Sequence, residues 1–318
     1  MITFDRRLLI ISGKGGVGKT TLAMALGLRA AAQGLKTLLC EMGENEKIAP
    51  MFDRSASSYK ETSLGVPGLS SIYIDPQEAF NDFARRKLRL QTLWQPVVES
   101  TLLSTFIKAA PGLKELMALG NLVELERAKL KNGQPKYDLI ILDAPATGHG
   151  LSLLRSPLLA MRATKTGPIY QKSRSIAELL QDESRTRMHI VTLAEEMPVS
   201  ETLEMISAIR ADIKVPLGSI LVNAVSPAMI PPAHNELMRQ LQQLAIDEAF
   251  LQCAGSTGLD ALLAVAKQME GRHQLNAQHI ARLKAATDLD VGLAPYVFDT
   301  PWRLTSVQKF ADTLGALQ

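Results

Sequence analysis

Residues Ser12 to Thr21 read SGKGGVGKTT and directly follow the apolar run Leu8-Leu9-Ile10-Ile11. Gly13, four intervening residues and then Gly18-Lys19-Thr20 is the spacing of a phosphate-binding loop, in which glycines let successive backbone N–H groups turn inward at a helix N-terminus. The ligand this chemistry implies is a nucleoside triphosphate. Gly13, Lys14, Gly15, Gly16, Val17 and Gly18 form the cradle, Lys19 reaches the β- and γ-phosphates, Thr20 holds Mg²⁺, and Thr21 completes the nucleotide-binding run. A second chemical position is Asp143, at the end of the apolar stretch Tyr137 to Leu142, where an acidic residue can hold the water shell of Mg²⁺. No other metal is implied. His189, His234, His273 and His279 show no ligand spacing with His149, and Cys40 and Cys253 are too few for a cysteine site or a disulfide framework.

These residues need a scaffold that ends several strands at one edge. The run before the loop reads as a strand and Thr20 to Gln33 as a helix; Lys36–Cys40 and Leu69–Ile74 read as the next strands, with a helix starting at Asp75-Pro76. From Pro76 to Lys131 the pattern is helical, with Trp94, Val97, Val98, Leu102, Leu103, Phe106 and Ile107 at helical spacing. Asn132-Gly133-Gln134-Pro135 breaks it, and Tyr137–Leu142, Met188–Leu193 and Leu217–Val222 return as strands. Helices are expected over Ser200–Asp212, Asn235–Asp247 and Gly258–Glu270. The alternation predicts an α/β fold: one domain over residues 1–318, a doubly wound, mostly parallel sheet with ligand at the strand C-terminal ends. A helical subdomain is expected over about 76–132, with a shorter helical segment over about 155–187. Leu304, Val307, Phe310, Leu314 and Leu317 share one helical face, expected to pack in the core.

Composition narrows the partners. Lys plus Arg at 35 against Asp plus Glu at 32 leaves a net charge of +3, too small and scattered to argue for nucleic acid. No run approaches the ~18 apolar residues that cross a bilayer, and the N-terminus lacks the apolar core of a signal sequence. The expectation is a cytoplasmic protein without stable membrane insertion.

The extra lysine in KGGVGKT, Lys14, resembles the deviant Walker A group of ATPases, which includes MinD, ParA, the nitrogenase iron protein, ArsA and the guided-entry ATPase for tail-anchored proteins. The segment Asp143-Ala144-Pro145-Ala146-Thr147-Gly148-His149-Gly150-Leu151 is similar to the switch of the ArsA and guided-entry branch, with Asp143, Thr147, Gly148, His149 and Leu151 in register. Ile74-Asp75-Pro76, Pro111-Gly112, Ala194-Glu195, Ser200-Glu201-Thr202 and Ile220-Leu221-Val222-Asn223 add further matches. The resemblance implies ATP and Mg²⁺ as ligands and a nucleotide-gated dimer, homodimeric or with a related ATPase. It implies that Lys14 crosses to the partner's nucleotide, that Thr147, Gly148 and His149 sense phosphate loss, and that Asn223 and the segment from Pro295 to Phe298 recognise adenine. A client or membrane-associated protein would receive the output.

The chain departs from that branch after the second strand. Where an Asp-Pro-Ala-His motif would position the attacking water, Gly43 takes the place of the aspartate, Glu44 of the proline and Glu46 of the histidine. Two readings stay open: Glu41, Glu44 or Glu46 substitutes for the missing carboxylate, or the loop is a solvated acidic turn and the chain is a weakly hydrolysing regulatory subunit of a heterodimer. The stretch after Asn223 lacks the zinc-clamp cysteines of the guided-entry branch, so no zinc is expected. Two distant cysteines cannot form a three-thiolate site, so arsenite activation is not expected either.

Overall fold

The structure, a computed structural model, describes residues 2–43, 45–56, 59–82, 112–228 and 256–316. Its centre is β1 (Leu8–Gly13), whose six residues are all buried. A strand covered on both faces needs apolar side chains in both directions, and LLII supplies them at about 1.5–3 kcal/mol per fully buried side chain. Alternation then divides the strand between two cores. Leu8 and Ile10 face one hydrophobic cluster, and Leu9 and Ile11 face the other.

The same alternation runs through β2 (Thr37–Met42), β5 (Leu139–Asp143), β6 (Thr186–Leu193) and β7 (Leu217–Val225). With β3 (Thr62–Ser63), β4 (Leu69–Ile74) and β8 (Val291–Pro295) they form one eight-stranded sheet in the order β3-β4-β2-β5-β1-β6-β7-β8. All neighbours are parallel except β3, which pairs antiparallel with β4 and is too short to leave a sequence signal. One face is covered by α1 (Lys19–Ala32) and α8 (Leu304–Ala316), which pack on each other. Val307, Phe310 and Leu314 are buried there, as the helical face of that segment predicts.

The opposite face carries α3 (Leu113–Arg127), α4 (Thr147–Thr164), α5 (Gly167–Gln181), α6 (Glu196–Ala208) and α7 (Ser256–Ala286); the four-residue α2 (Ile48–Met51) follows β2. Leu116, Leu119 and Leu122 of α3 and Ile176 and Leu179 of α5 belong to the same cluster as the sheet residues Leu8 and Ile140. Residues 83–111, which hold Trp94 to Ile107 of the expected helical stretch, lie outside the described residues, as do the expected helix at 235–247 and Cys253.

Two boundaries differ from expectation for physical reasons. The helix expected from Ser200 starts at Glu196, because Pro198 falls in the first turn, where a missing N–H leaves no hydrogen bond unmade; the helix passes at its end into a π-helical turn at Ile209–Ile213. The helix expected to stop at Glu270 continues through Gly271 to Ala286. Tertiary contacts outweigh the roughly 1 kcal/mol that a mid-helix glycine costs: Ile280 and Leu283 are buried, and the Asn276 side chain accepts from the Ser226 amide and donates to the Ala194 carbonyl, both at 2.9 Å.

Candidate active site

The parallel strands β1, β2 and β5 all end at one edge, and the sequence places its polar residues there. β1 leaves the sheet at Gly13, whose φ of +149° and position exclude any side chain: a Cβ would lie 2.1 Å from the Val191 carbonyl oxygen of β6. The loop closes at Gly18, φ +96°, where a Cβ would fall 2.3 Å from Asn223 Nδ2. Asn223, from β7, donates from that Nδ2 to the Val17 carbonyl at 2.9 Å and so braces the loop from behind. α1 then begins without a side-chain cap and with no acidic residue in its first turn, leaving its leading N–H groups for an anion.

Lys19 Nζ folds back over this loop and donates to the Lys14 carbonyl at 2.8 Å. Burial lowers its pKa, the charge of Asp143 opposes that and the charge of Lys47 reinforces it. Beside it, Thr20 Oγ1 donates to Asp143 Oδ2 at 2.6 Å. Asp143 is 5% exposed, and among the described residues its other oxygen, Oδ1, is buried without a partner. Burial pushes its pKa up to about 6 against the Thr20 hydrogen bond and the Lys19 charge. An orphaned carboxylate oxygen next to a threonine hydroxyl fits a hard cation such as Mg²⁺. Among the described residues no group of three or more His, Cys, Asp or Glu side chains could hold a metal by itself, so oxygen donors from a ligand would complete such a shell.

Glu41, next to last in β2, lies between Tyr73 of β4 and Asp143 of β5. It is 4% exposed, and its carboxylate accepts the Lys47 amide at 2.9 and 3.0 Å and the Ile48 amide at 3.0 Å. Burial raises its pKa to about 7, against those N–H bonds and the Lys47 charge and together with the Asp143 charge. The Tyr73 hydroxyl donates to the Gly43 carbonyl at 2.7 Å. Of the two candidate carboxylates among the described residues, Glu41 lines the cavity and Glu46 does not; Glu44 lies outside the described residues. That cavity, about 780 Å³, brings together Gly15, Gly16, Gly18, Lys19, Thr20, Thr21, Glu41 and Asp143, with Lys47 and Lys114 also lining it.

Other expected residues stand around this centre. Lys14 extends to α6, where its ammonium pairs with Glu201 at 2.5 Å. Thr147, Gly148 and His149 form the first turn of α4, directly after the Ala144-Pro145-Ala146 wall of the cavity. Pro295 ends β8 beside Val225, and beyond it the exposed rings of Tyr296 and Phe298 lie 4.6 Å apart; neither Pro295 nor Asn223 lines the cavity. Sequence reasoning missed Lys47 and the Lys14–Glu201 pair. Lys47 carries no motif, and the pair joins residues 187 positions apart.

Residues 6–166 match the family of anion-transporting ATPases. The chain is 34% identical to ATPase BagA of Mycobacterium tuberculosis over 230 residues, covering 71% of this chain and 67% of that protein. It is 33% identical to ATPase ASNA1 homolog 1 of Paramecium tetraurelia over 150 residues, 47% of this chain and 43% of that one. With the arsenical pump-driving ATPase of Escherichia coli it shares 27% identity over 285 residues, 80% of this chain and 48% of that protein, so it spans about half the pump ATPase's length.

Proposed function

The chain belongs to the anion-transporting ATPase family, and from that premise we propose that it binds and hydrolyses ATP as a nucleotide-gated dimeric switch serving a transport, targeting or protein-assembly process. The observation that carries this reading is the Thr20–Asp143 hydrogen bond beneath the Lys19 ammonium, at the mouth of a loop whose helix start is uncapped. Phosphate oxygens would take the place of the Lys14 carbonyl as partner of Lys19, and the backbone N–H groups of Gly15 to Thr20 would hold the β-phosphate. Thr20 and Asp143 would hold Mg²⁺, whose chemistry is to neutralise charge developing between the β- and γ-phosphates. Asn223 braces the loop through Nδ2 and keeps Oδ1 for the adenine amino group, with Pro295 beside the base. The first turn of α4, Thr147 to His149, transmits phosphate loss to the helices on that face.

Lys14 reaches the partner's nucleotide in the closed dimer, homodimeric or with a related ATPase, once its pairing with Glu201 is exchanged for phosphate. No helix among the described residues is long and apolar enough to cross a membrane, which fits a cytoplasmic protein whose client or membrane partner is separate. Residues 76–132 are the segment through which closure would be communicated. Arsenite is not the proposed effector, because Cys40 is buried within the sheet and a three-thiolate site cannot be assembled from two cysteines.

Gly43 favours a second reading, a regulatory subunit that binds nucleotide and scarcely turns it over, since no carboxylate stands at that position. Steady-state ATP hydrolysis beside Lys19→Ala, with light scattering for mass, separates the two. Turnover roughly a hundredfold above the variant, with an ATP-dependent doubling of the 34.6 kDa mass, supports the switch. ATP binding without turnover supports the regulatory subunit, and absence of nucleotide binding overturns both.

A further inference from the structure

The cavity contains a cation that no sequence motif assigns. Lys47 lines the same cavity as Lys19, Thr20 and Asp143. Its charge acts on three groups inside, depressing the basicity of Lys19 and favouring the ionised forms of Glu41 and Asp143. Lys14 pairs with Glu201 and Lys19 donates to the Lys14 carbonyl, whereas the Lys47 ammonium makes no ion pair among the described residues. Two ammonium groups facing one cavity repel each other, and an anion bound between them reverses the sign of that interaction.

The backbone of Lys47 is fixed even though its side chain is exposed. Both oxygens of the buried Glu41 carboxylate accept its amide, and Glu41 is itself set in the sheet beside Asp143. On the strand side of the same turn, the Tyr73 hydroxyl holds the Gly43 carbonyl. With its Cα anchored beside the glycine-rich loop, Lys47 starts within reach of a bound phosphate, so binding has to fix only the rotamers of its side chain. Its place in the chain is also informative: it follows the position where Gly43 stands for the water-positioning aspartate.

We propose that Lys47 is a third phosphate-binding cation, supplied by the same chain, that contacts the terminal phosphate of the bound nucleoside triphosphate. The inference rests on reading the cavity as a nucleotide site and adds to it the group that distinguishes triphosphate from diphosphate. The turn after β2 thereby detects the terminal phosphate by attraction.

The experiment is calorimetric titration of the full chain with Mg²⁺ and either ADP or a non-hydrolysable ATP analogue, comparing wild type, Lys47→Ala, Lys47→Arg and Lys19→Ala. Lys47→Ala keeps the backbone amide that Glu41 binds and removes the ammonium with its exposed stem. The expected result is that Lys47→Ala weakens the ATP analogue about tenfold or more, as for loss of one charge-assisted hydrogen bond, shifts ADP less than about twofold, and is largely restored by Lys47→Arg. Equal weakening of both nucleotides, or no change in either, overturns the assignment of Lys47 while leaving the nucleotide site intact. Wild type that binds neither nucleotide, or Lys19→Ala that binds both as wild type does, overturns the nucleotide reading and this inference with it.

Discussion

Glu41 is a carboxylate held inside the sheet by three N–H contacts, and burial still leaves its pKa near 7 rather than the ordinary 4.5. The folded chain therefore binds more protons than the unfolded chain between about pH 4.5 and pH 7, so this group's contribution is full below 4.5 and is lost as the pH rises through 7. A shift of that size corresponds to about 3 kcal/mol. Thermal unfolding without nucleotide is expected to show Glu41→Gln flattening the decline in melting temperature over this window, with a residual slope from Asp143, whose pKa is raised to about 6. An identical slope in wild type and variant would contradict the assignment. Asn223 makes a different residue-scale prediction. Asn223→Ala removes the brace on the Val17 carbonyl and the proposed adenine contact together. Its ATP affinity should fall about tenfold, and more than its GTP affinity, in competition against a fluorescent nucleotide. Equal losses would reduce Asn223 to a loop brace.

At the scale of elements, the unit that carries the chemistry is strand, loop and helix: β1, the glycine-rich turn and α1. It is legible in sequence because each part has a local cause, with four apolar residues for a buried strand, glycines where Val191 and Asn223 leave no room for a Cβ, and a helix that starts without a side-chain cap. The link from this unit to α6 has no such local signature. Lys14 and Glu201 pair across 187 positions, with both side chains about one-third exposed, so the bond is worth roughly 0.2–1 kcal/mol. If Lys14 must leave Glu201 to reach a partner's nucleotide, Glu201→Gln lowers the protein concentration needed for the ATP-dependent dimer by about two- to fivefold in light scattering. A dimer that weakens in this variant would show instead that Glu201 orients Lys14 for the interface. α7 teaches the converse about sequence patterns. Its local pattern stops at Gly271, yet the helix continues because Asn276, Ile280 and Leu283 are held by other elements.

Across the whole molecule, the sheet separates a chemical edge from a structural one. The C-terminal ends of β1, β2 and β5 gather Lys19, Thr20, Glu41 and Asp143 around one cavity, while at the opposite edge Glu126, 2% exposed at the end of α3, joins Arg7 ahead of β1 and Arg185 ahead of β6. Glu126→Ala removes a buried carboxylate shared by two part-exposed guanidinium groups, of which Arg7 keeps its contacts to the Glu126 and Tyr137 carbonyls, and is expected to cost about 1–2 kcal/mol in denaturant unfolding, with kcat for ATP unchanged because the site lies at the other end of the strands. A loss of turnover without loss of stability would show that the two edges are coupled. The sequence by itself determined the glycine-rich turn between a buried strand and a helix, the parallel α/β architecture and the buried face of α8, because each is written in residues close together or repeated at the period of its element. Only the tertiary structure decided that Glu41 rather than Glu46 faces the cavity, that Lys47 joins it, and that Lys14 rests on Glu201. Those outcomes depend on which strand ends are neighbours and where a turn directs a side chain, and pairing between distant segments leaves no periodic trace in either partner's sequence.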